Sequence, residues 1–272
     1  MLRFERVAHA AAERAGALVR ARYRERPEVS FKSEVDLVTT VDRQAERLIV
    51  DTIVAAFPEH GIVAEESPAR PGRDSHRWYV DPLDGTTNFA HGYPHFAVSI
   101  ALADGDDLLL GLVYDPVREE IFTALRGGGA RLNGAPIQVS EVAVLERSLL
   151  ATGFPYDRRQ HSDFYLAFWR EAIQRAQGVR RAGAAALDLC YLACGRLDGF
   201  WEWKLRPWDT AAGRLIVEEA GGRVSDFSGG PHRLTGAETA ASNGRLHGEL
   251  LDMIATVRGR LAGADAPLNA GG

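Results

Sequence analysis

Four carboxylates stand out by type and position: Glu65, Asp81, Asp84 and Asp209. Glu65 and its neighbour Glu66 follow the apolar run Ile62-Val63-Ala64. Asp81 follows Trp78-Tyr79-Val80, and Asp84 lies three residues on, across Pro82-Leu83. Asp209 follows Pro207-Trp208 and opens a helical pattern. Clustered carboxylates repel one another unless a cation or a proton intervenes. Hard oxygen ligands of this kind suit Mg²⁺, which keeps several waters and takes further ligands from substrate phosphate. Taken singly, each acid could equally cap a helix or sit in a turn.

The stretch Asp81-Pro82-Leu83-Asp84-Gly85-Thr86-Thr87-Asn88-Phe89 shifts that balance. It places two acids, a glycine and two hydroxyls in one turn after a strand. Gly85 permits close approach of the backbone. If a helix begins there, its free N–H groups form an anion site. Metal ligands beside a phosphate cradle are what phosphoryl transfer requires.

The elements that must position these residues can be read from periodicity. Apolar residues at helical spacing predict a helix over 2–24 and a second from Val41 to Phe57, with Thr40 or Asp42 serving its first turn. Residues 31–39 read as a strand or hairpin with a loop. Gly61 to Ala64 and Trp78 to Val80 read as buried strands. Strands are also expected at 95–103, 107–114 and 120–125, and a Gly-rich turn leads from there to Ile137-Gln138-Val139. Further on, strands are expected at 149–152, 199–203 and 222–224. Helices are expected at 162–177, 183–194, 209–220 and 245–261. The expectation is a mixed α/β chain in two closely packed parts. Residues 1–147 form an α+β half with a largely antiparallel sheet, and residues 148–261 form an α/β half. The Gly/Ala/Pro-rich segment 262–272 is expected to be disordered.

Composition narrows the function classes. The chain has 272 residues, 46 % hydrophobic and 25 % charged, with a formal net charge of −5. These values suit a soluble globular protein. The acidic balance makes nucleic acid a poor partner, despite the basic pairs Arg158-Arg159 and Arg180-Arg181. No apolar run approaches the roughly 20 residues that cross a bilayer, and the first 20 residues do not form a signal peptide, so the cytoplasm is the expected location. The two cysteines, Cys190 and Cys194, read as reduced thiols on one helix face. His91 and His95 lack the partners that a transition-metal site needs. Trp201 and Trp203 alternate around Glu202, which places Glu202 on the opposite strand face. Lys32 reads as a solvated side chain near Asp36.

The residues quoted above resemble the inositol monophosphatase family. Its two signatures match Asp81 to Phe89 and Trp208-Asp209-Thr210-Ala211-Ala212-Gly213. Weaker likenesses are Asp36-Leu37-Val38-Thr39 with Asp42, Ala64-Glu65-Glu66-Ser67, and Glu218-Glu219-Ala220-Gly221-Gly222. The resemblance implies a layered αβαβα sandwich of the inositol monophosphatase/fructose-1,6-bisphosphatase type. It implies two or three Mg²⁺ ions. Glu65, Asp81 and the carbonyl of Leu83 would hold the first, and Asp81, Asp84 and Asp209 the second. It gives Thr86, hydrogen-bonded to Asp42, the attacking water, with Glu65 helping to hold a third ion. Gly85 and Thr86 would bind phosphate, and Gly183, Ala184, Ala185 and Glu202 would line the pocket beside Asp84 and Asp209. The implied reaction is Mg²⁺-dependent hydrolysis of an inositol monophosphate, myo-inositol 1-phosphate. Thr87-Asn88-Phe89 and Glu202 are what favour that branch. The alternatives are histidinol phosphate, fructose 1,6-bisphosphate or adenosine 3′,5′-bisphosphate as substrate, or a non-catalytic role on the transcription machinery. Lithium inhibition and a homodimer are further expectations of the resemblance.

Overall fold

The computed structural model describes residues 1–23, 25, 29–31 and 37–264. Lys32 and Asp36 lie outside the described residues, as does the tail beyond residue 264.

The chain begins with α1 (Leu2–Arg22), whose Ala8, Ala11, Ala12, Ala15 and Val19 form a buried stripe. A small antiparallel hairpin follows, β1 (Val29–Phe31) and β2 (Leu37–Thr39). It feeds directly into α2 (Thr40–Ala56). The N-cap of α2 is Thr39, and Asp42, one of the two residues expected to serve the first turn, does so. Thr39 Oγ1 accepts from Val41 N while Asp42 accepts from Thr39 N, a reciprocal capping box. A box needs its hydroxyl three residues before its acid, and only Thr39 meets that spacing.

The first sheet has seven strands in sequential order: β3 (Gly61–Ala64), β4 (His76–Asp84), β5 (Ala97–Asp104), β6 (Asp107–Asp115), β7 (Glu120–Leu125), β8 (Ala130–Leu132) and β9 (Ala135–Pro136). Only β3 and β4 pair in parallel. The short helix α3 (Thr86–Ala90) sits between β4 and β5. Residues 137–139 are not in a strand, and β4 runs to Asp84, past the expected end at Val80.

The second sheet has the order β11-β10-β12-β14-β13. Its members are β10 (Leu149–Thr152), β11 (Gly178–Arg180), β12 (Gly199–Trp203), β13 (Arg223–Ser225) and β14 (Glu238–Ser242). The helices are α4 (Ser162–Arg175), α5 (Ala185–Ala193), α6 (Pro207–Glu219) and α7 (His247–Ala264). Sequence periodicity gave neither β11 nor β14. The first is three residues of mixed polarity, and the second is the small-residue run Glu238-Thr-Ala-Ala-Ser242. Helix α7 extends through Ala264, three residues into the segment expected to be disordered; Ala262 and Ala264 are strong helix formers that offset Gly263 between them.

Three apolar clusters stack these elements into five layers, α-β-α-β-α. One joins α1 and α2 to one face of the first sheet, with Trp78, Ile49, Ile53 and Phe96 buried in it. The central cluster packs α5 and α6 between the two sheets through Leu187, Leu189, Leu215, Ile216 and Phe200. The third joins α4 and α7 to the outer face of the second sheet around Phe168, Trp201 and Trp203. Close packing fixes the middle layer: a Cβ on Gly111 of β6 would come within 2.6 Å of Ala212 O on α6. Cys190 is buried, Cys194 is half-buried, and both are free thiols. Among the described residues, no helix is long and apolar enough to cross a membrane.

Candidate active site

Pro82 sets the local geometry of β4. It has no N–H to give the ladder, and the register of β4 against β5 shifts between Asp81 and Asp84. In that irregular stretch Leu83 N donates to Asp81 Oδ1 at 2.9 Å, which fixes the buried Asp81 carboxylate. Leu83 O is freed from the ladder and lies 3.0 Å from Thr86 Oγ1. Gly85 then turns the chain with φ +92°, in the left-handed region that favours glycine. A side chain there would meet His95 O at 2.9 Å and Ala184 Cβ at 3.3 Å. The chain enters α3 at Thr86.

The four acids come together. Asp81, Asp84, Glu65 and Asp209 line one cleft of about 340 Å³, with Leu83, Gly85, Thr86, Gly183, Ala184, Ala185 and Glu202. Each of three carboxylates has one oxygen held by a backbone N–H: Asp81 by Leu83, Asp84 Oδ2 by Ala186 at 2.7 Å, and Asp209 Oδ2 by Arg206 at 2.7 Å. The last two anchors lie at the starts of α5 and α6. Pro207 occupies the first turn of α6, where its missing N–H costs nothing. Ser99 Oγ of β5 donates to Trp208 O at 3.1 Å and fastens that turn to the first sheet. Glu65 is carried at the end of β3, where its N–H donates to Val80 O at 3.2 Å.

Electrostatics report the crowding. The Asp81 carboxyl is pushed well above the usual carboxylate range by burial, then by the charges of Glu65, Asp84 and Asp209. Asp84 is raised by burial and by Asp209. A set of buried oxygen donors that repel each other, each already oriented, fits a hard divalent cation.

Thr86 Oγ1 lies 2.9 Å from Asp42 Oδ1. Asp42 is fully buried and its carboxyl is raised by burial, against the hydrogen bonds from Thr39 and Thr86. Asp42 is therefore both a helix-capping residue and a neighbour of the candidate site. On the far wall, Glu202 of β12 points into the cleft while Trp201 and Trp203 are buried on the other strand face. The Glu202 carboxyl is raised well above its ordinary range by burial and by Asp188, with Arg181 opposing. It rests directly on Gly153, where any Cβ would overlap it.

Eleven of the twelve positions singled out from the sequence line one cleft, and the twelfth, Asp42, is buried behind it. Sequence reasoning named Thr39, Arg158 and Arg181 without placing them at the site and passed over Gly153 and Phe154; all of these but Thr39 line the cleft. The motif around Gly153 is too short to mark, and only the packing of Glu202 reveals it.

A separate group, His60, Asp74 and His76, brings three potential ligand atoms within 4.8 Å of one another. Trp78 Nε1 donates to His60 Nδ1 at 3.1 Å. Indole is only a donor, so the neutral His60 ring carries its proton on Nε2, towards Asp74. That nitrogen then has no lone pair for a metal. His91 and His95 belong to no metal-capable group among the described residues.

Comparison with known proteins places the sequence and the fold among relatives. Residues 2–259 match the model of the inositol monophosphatase family. The chain is 45 % identical over 262 residues to a protein named Nus factor SuhB from Escherichia coli (strain K12), spanning 95 % of this chain and 97 % of that one. It superimposes on the extragenic suppressor protein suhB of Bartonella henselae with a TM-score of 0.89 at 42 % identity, covering 92 % of this chain and 98 % of the other. It superimposes on an inositol monophosphatase from Anabaena (Nostoc) sp. PCC 7120 with a TM-score of 0.85 at 40 % identity, covering 93 % and 95 %.

Proposed function

The chain belongs to the inositol monophosphatase family, and from that premise we propose that it hydrolyses myo-inositol 1-phosphate, or a similar polyol phosphate, with Mg²⁺. The observation that carries this reading is the convergence of four carboxylates with the Gly85-Thr86 turn in one cleft. Glu65, Asp81 and Leu83 O would hold one ion, and Asp81, Asp84 and Asp209 a second; Glu65 would share in a third. Bound there, Mg²⁺ neutralises charge developing on the phosphoryl and leaving oxygens and acidifies the attacking water.

The protein's own groups do the positioning. The N–H groups of Gly85 and Thr86 hold the phosphate. Thr86 Oγ1 donates to Asp42 and so turns its lone pairs towards the water, whose proton it would take as its own passes to Asp42 Oδ1. Glu202, with Gly183, Ala184 and Ala185 on the opposing wall, receives the hydroxyl-bearing part of the substrate. The test is phosphate release, with and without Mg²⁺, from inositol 1-phosphate, histidinol phosphate, fructose 1,6-bisphosphate and adenosine 3′,5′-bisphosphate. A preference for any of the last three overturns the substrate assignment.

A second reading rests on the name Nus factor carried by relatives 45 % identical. In it the protein acts by contact with the transcription machinery, and Asp84→Asn leaves its biological effect intact. Family membership also supports inhibition by millimolar lithium and a homodimer, which inhibition assays and light scattering test.

A further inference from the structure

Asn88 is the side chain that couples the phosphate turn to the substrate wall, and it has more to offer than its place in the motif suggests. Its Nδ2 donates to His95 O at 2.7 Å, on its own loop. It also donates to Ala182 O at 2.9 Å and lies 3.4 Å from Gly183 O, in the segment that enters α5. An amide nitrogen has two hydrogens, and three carbonyls surround this one. The reversed orientation would set Oδ1 against those three oxygens, so the rotamer of the amide is fixed. The oxygen must point the other way.

No donor among the described residues reaches Asn88 Oδ1. Nor is that atom one of the sealed polar atoms left without a partner, whereas His95 Nε2 is. The residue itself lines the cleft, between Thr86 and the Gly183-Ala184 wall. An oriented acceptor that is accessible and unsatisfied within the protein is a place for a ligand donor.

We infer that Asn88 is a specificity-determining residue whose Oδ1 accepts a hydrogen bond from a hydroxyl of the substrate's alcohol portion, while its Nδ2 straps the phosphate turn to the substrate wall. The inference rests on the phosphatase reading and deepens it: the substrate class is a phosphate monoester whose alcohol carries a further hydroxyl near the ester carbon. A site built to bond a hydroxyl discriminates against an alcohol that lacks one, because its acceptor is then left unpaired.

The test compares two substrates and two enzymes. The probes are myo-inositol 1-phosphate and phenyl phosphate, whose leaving group has no hydroxyl. Wild type is expected to favour inositol 1-phosphate in kcat/KM. Asn88→Ala is expected to reduce that preference about tenfold, the factor carried by one net hydrogen bond of about 1.4 kcal/mol. Circular dichroism and Tm report whether the variant folds. If Asn88→Ala is inactive on both, Asn88→Gln, which keeps the amide at altered reach, carries the same comparison. A variant that loses both substrates equally and keeps the wild-type preference overturns the inference and leaves the phosphatase reading standing. A wild type that releases phosphate from neither overturns the phosphatase reading itself, and this inference with it.

Discussion

The hydroxyl of Thr86 lies 2.9 Å from Asp42 Oδ1, a bond that joins the candidate phosphate turn to the first turn of α2 across 44 residues of chain. Asp42 is held from behind by Thr39, through the reciprocal cap of α2. The orientation of Thr86 is thus fixed by a helix terminus, which is a more rigid support than a loop would give.

Thr86→Val, which keeps the shape and removes the hydroxyl, is expected to lower kcat by about 10²–10⁴-fold, the range for a positioned proton-transfer group. Thr86→Ser is expected to retain most of the activity. Steady-state rates of phosphate release check both. A loss in Thr86→Ser with none in Thr86→Val would mean that the methyl, and not the hydroxyl, matters.

Metal binding is expected to depend on pH. Burial and mutual repulsion raise Asp81 and Asp84 above their ordinary carboxylate range. Groups raised in the fold hold protons there that the unfolded chain has released. The metal-free fold therefore loses stability as pH rises from the ordinary carboxylate range through the raised values. A cation must displace those protons, so its binding strengthens with pH. The rise in Tm on adding Mg²⁺ is expected to grow between pH 5.5 and 8. A rise that shrinks over that window would contradict the arrangement.

An opposing acid limb comes from two histidines. Burial lowers His232 and His247 to about 4. His247 is held between Ser225 Oγ at 2.9 Å and Ser242 Oγ at 2.8 Å. Their depressed values mean that the unfolded chain binds protons first. Stability is present above the unfolded histidine value of about 6.5 and is lost as pH falls towards 4. His247→Gln is expected to flatten that limb in a denaturation series between pH 6.5 and 4.

Two glycines offer packing tests. Gly153→Ala places a methyl where the Glu202 carboxylate rests. It is expected to raise KM for inositol 1-phosphate with a smaller effect on phenyl phosphate. Gly111→Ala pushes β6 against α6, which carries Asp209. It is expected to cost about 1–3 kcal/mol by urea denaturation, the usual price of overpacking.

The acids of the site were legible because each sits beside an apolar run or a proline, and because Gly85 and the two threonines share one turn. Helices α1 and α2 were legible from their 3.6-residue apolar repeat. The sheet edges were not. β11 and β14 are short and carry no alternation of their own, and they become strands only through their partners β10 and β12. The end of β4 was hidden because Pro82 reads as a breaker, while here it marks an irregular register within a continuing strand. Asp42 shows the remaining limit. Its capping role follows from local spacing, but its contact with Thr86 spans 44 residues and exists only once α2 packs beside β4.

The most direct measurement is Mg²⁺-dependent phosphate release from myo-inositol 1-phosphate by wild type and by Asp84→Asn. Activity in the wild type that disappears on chelation, returns with Mg²⁺ and is lost by at least about 10²-fold in the variant is the expected result. Equal release by wild type and Asp84→Asn would contradict the assignment of this carboxylate cluster as the catalytic centre.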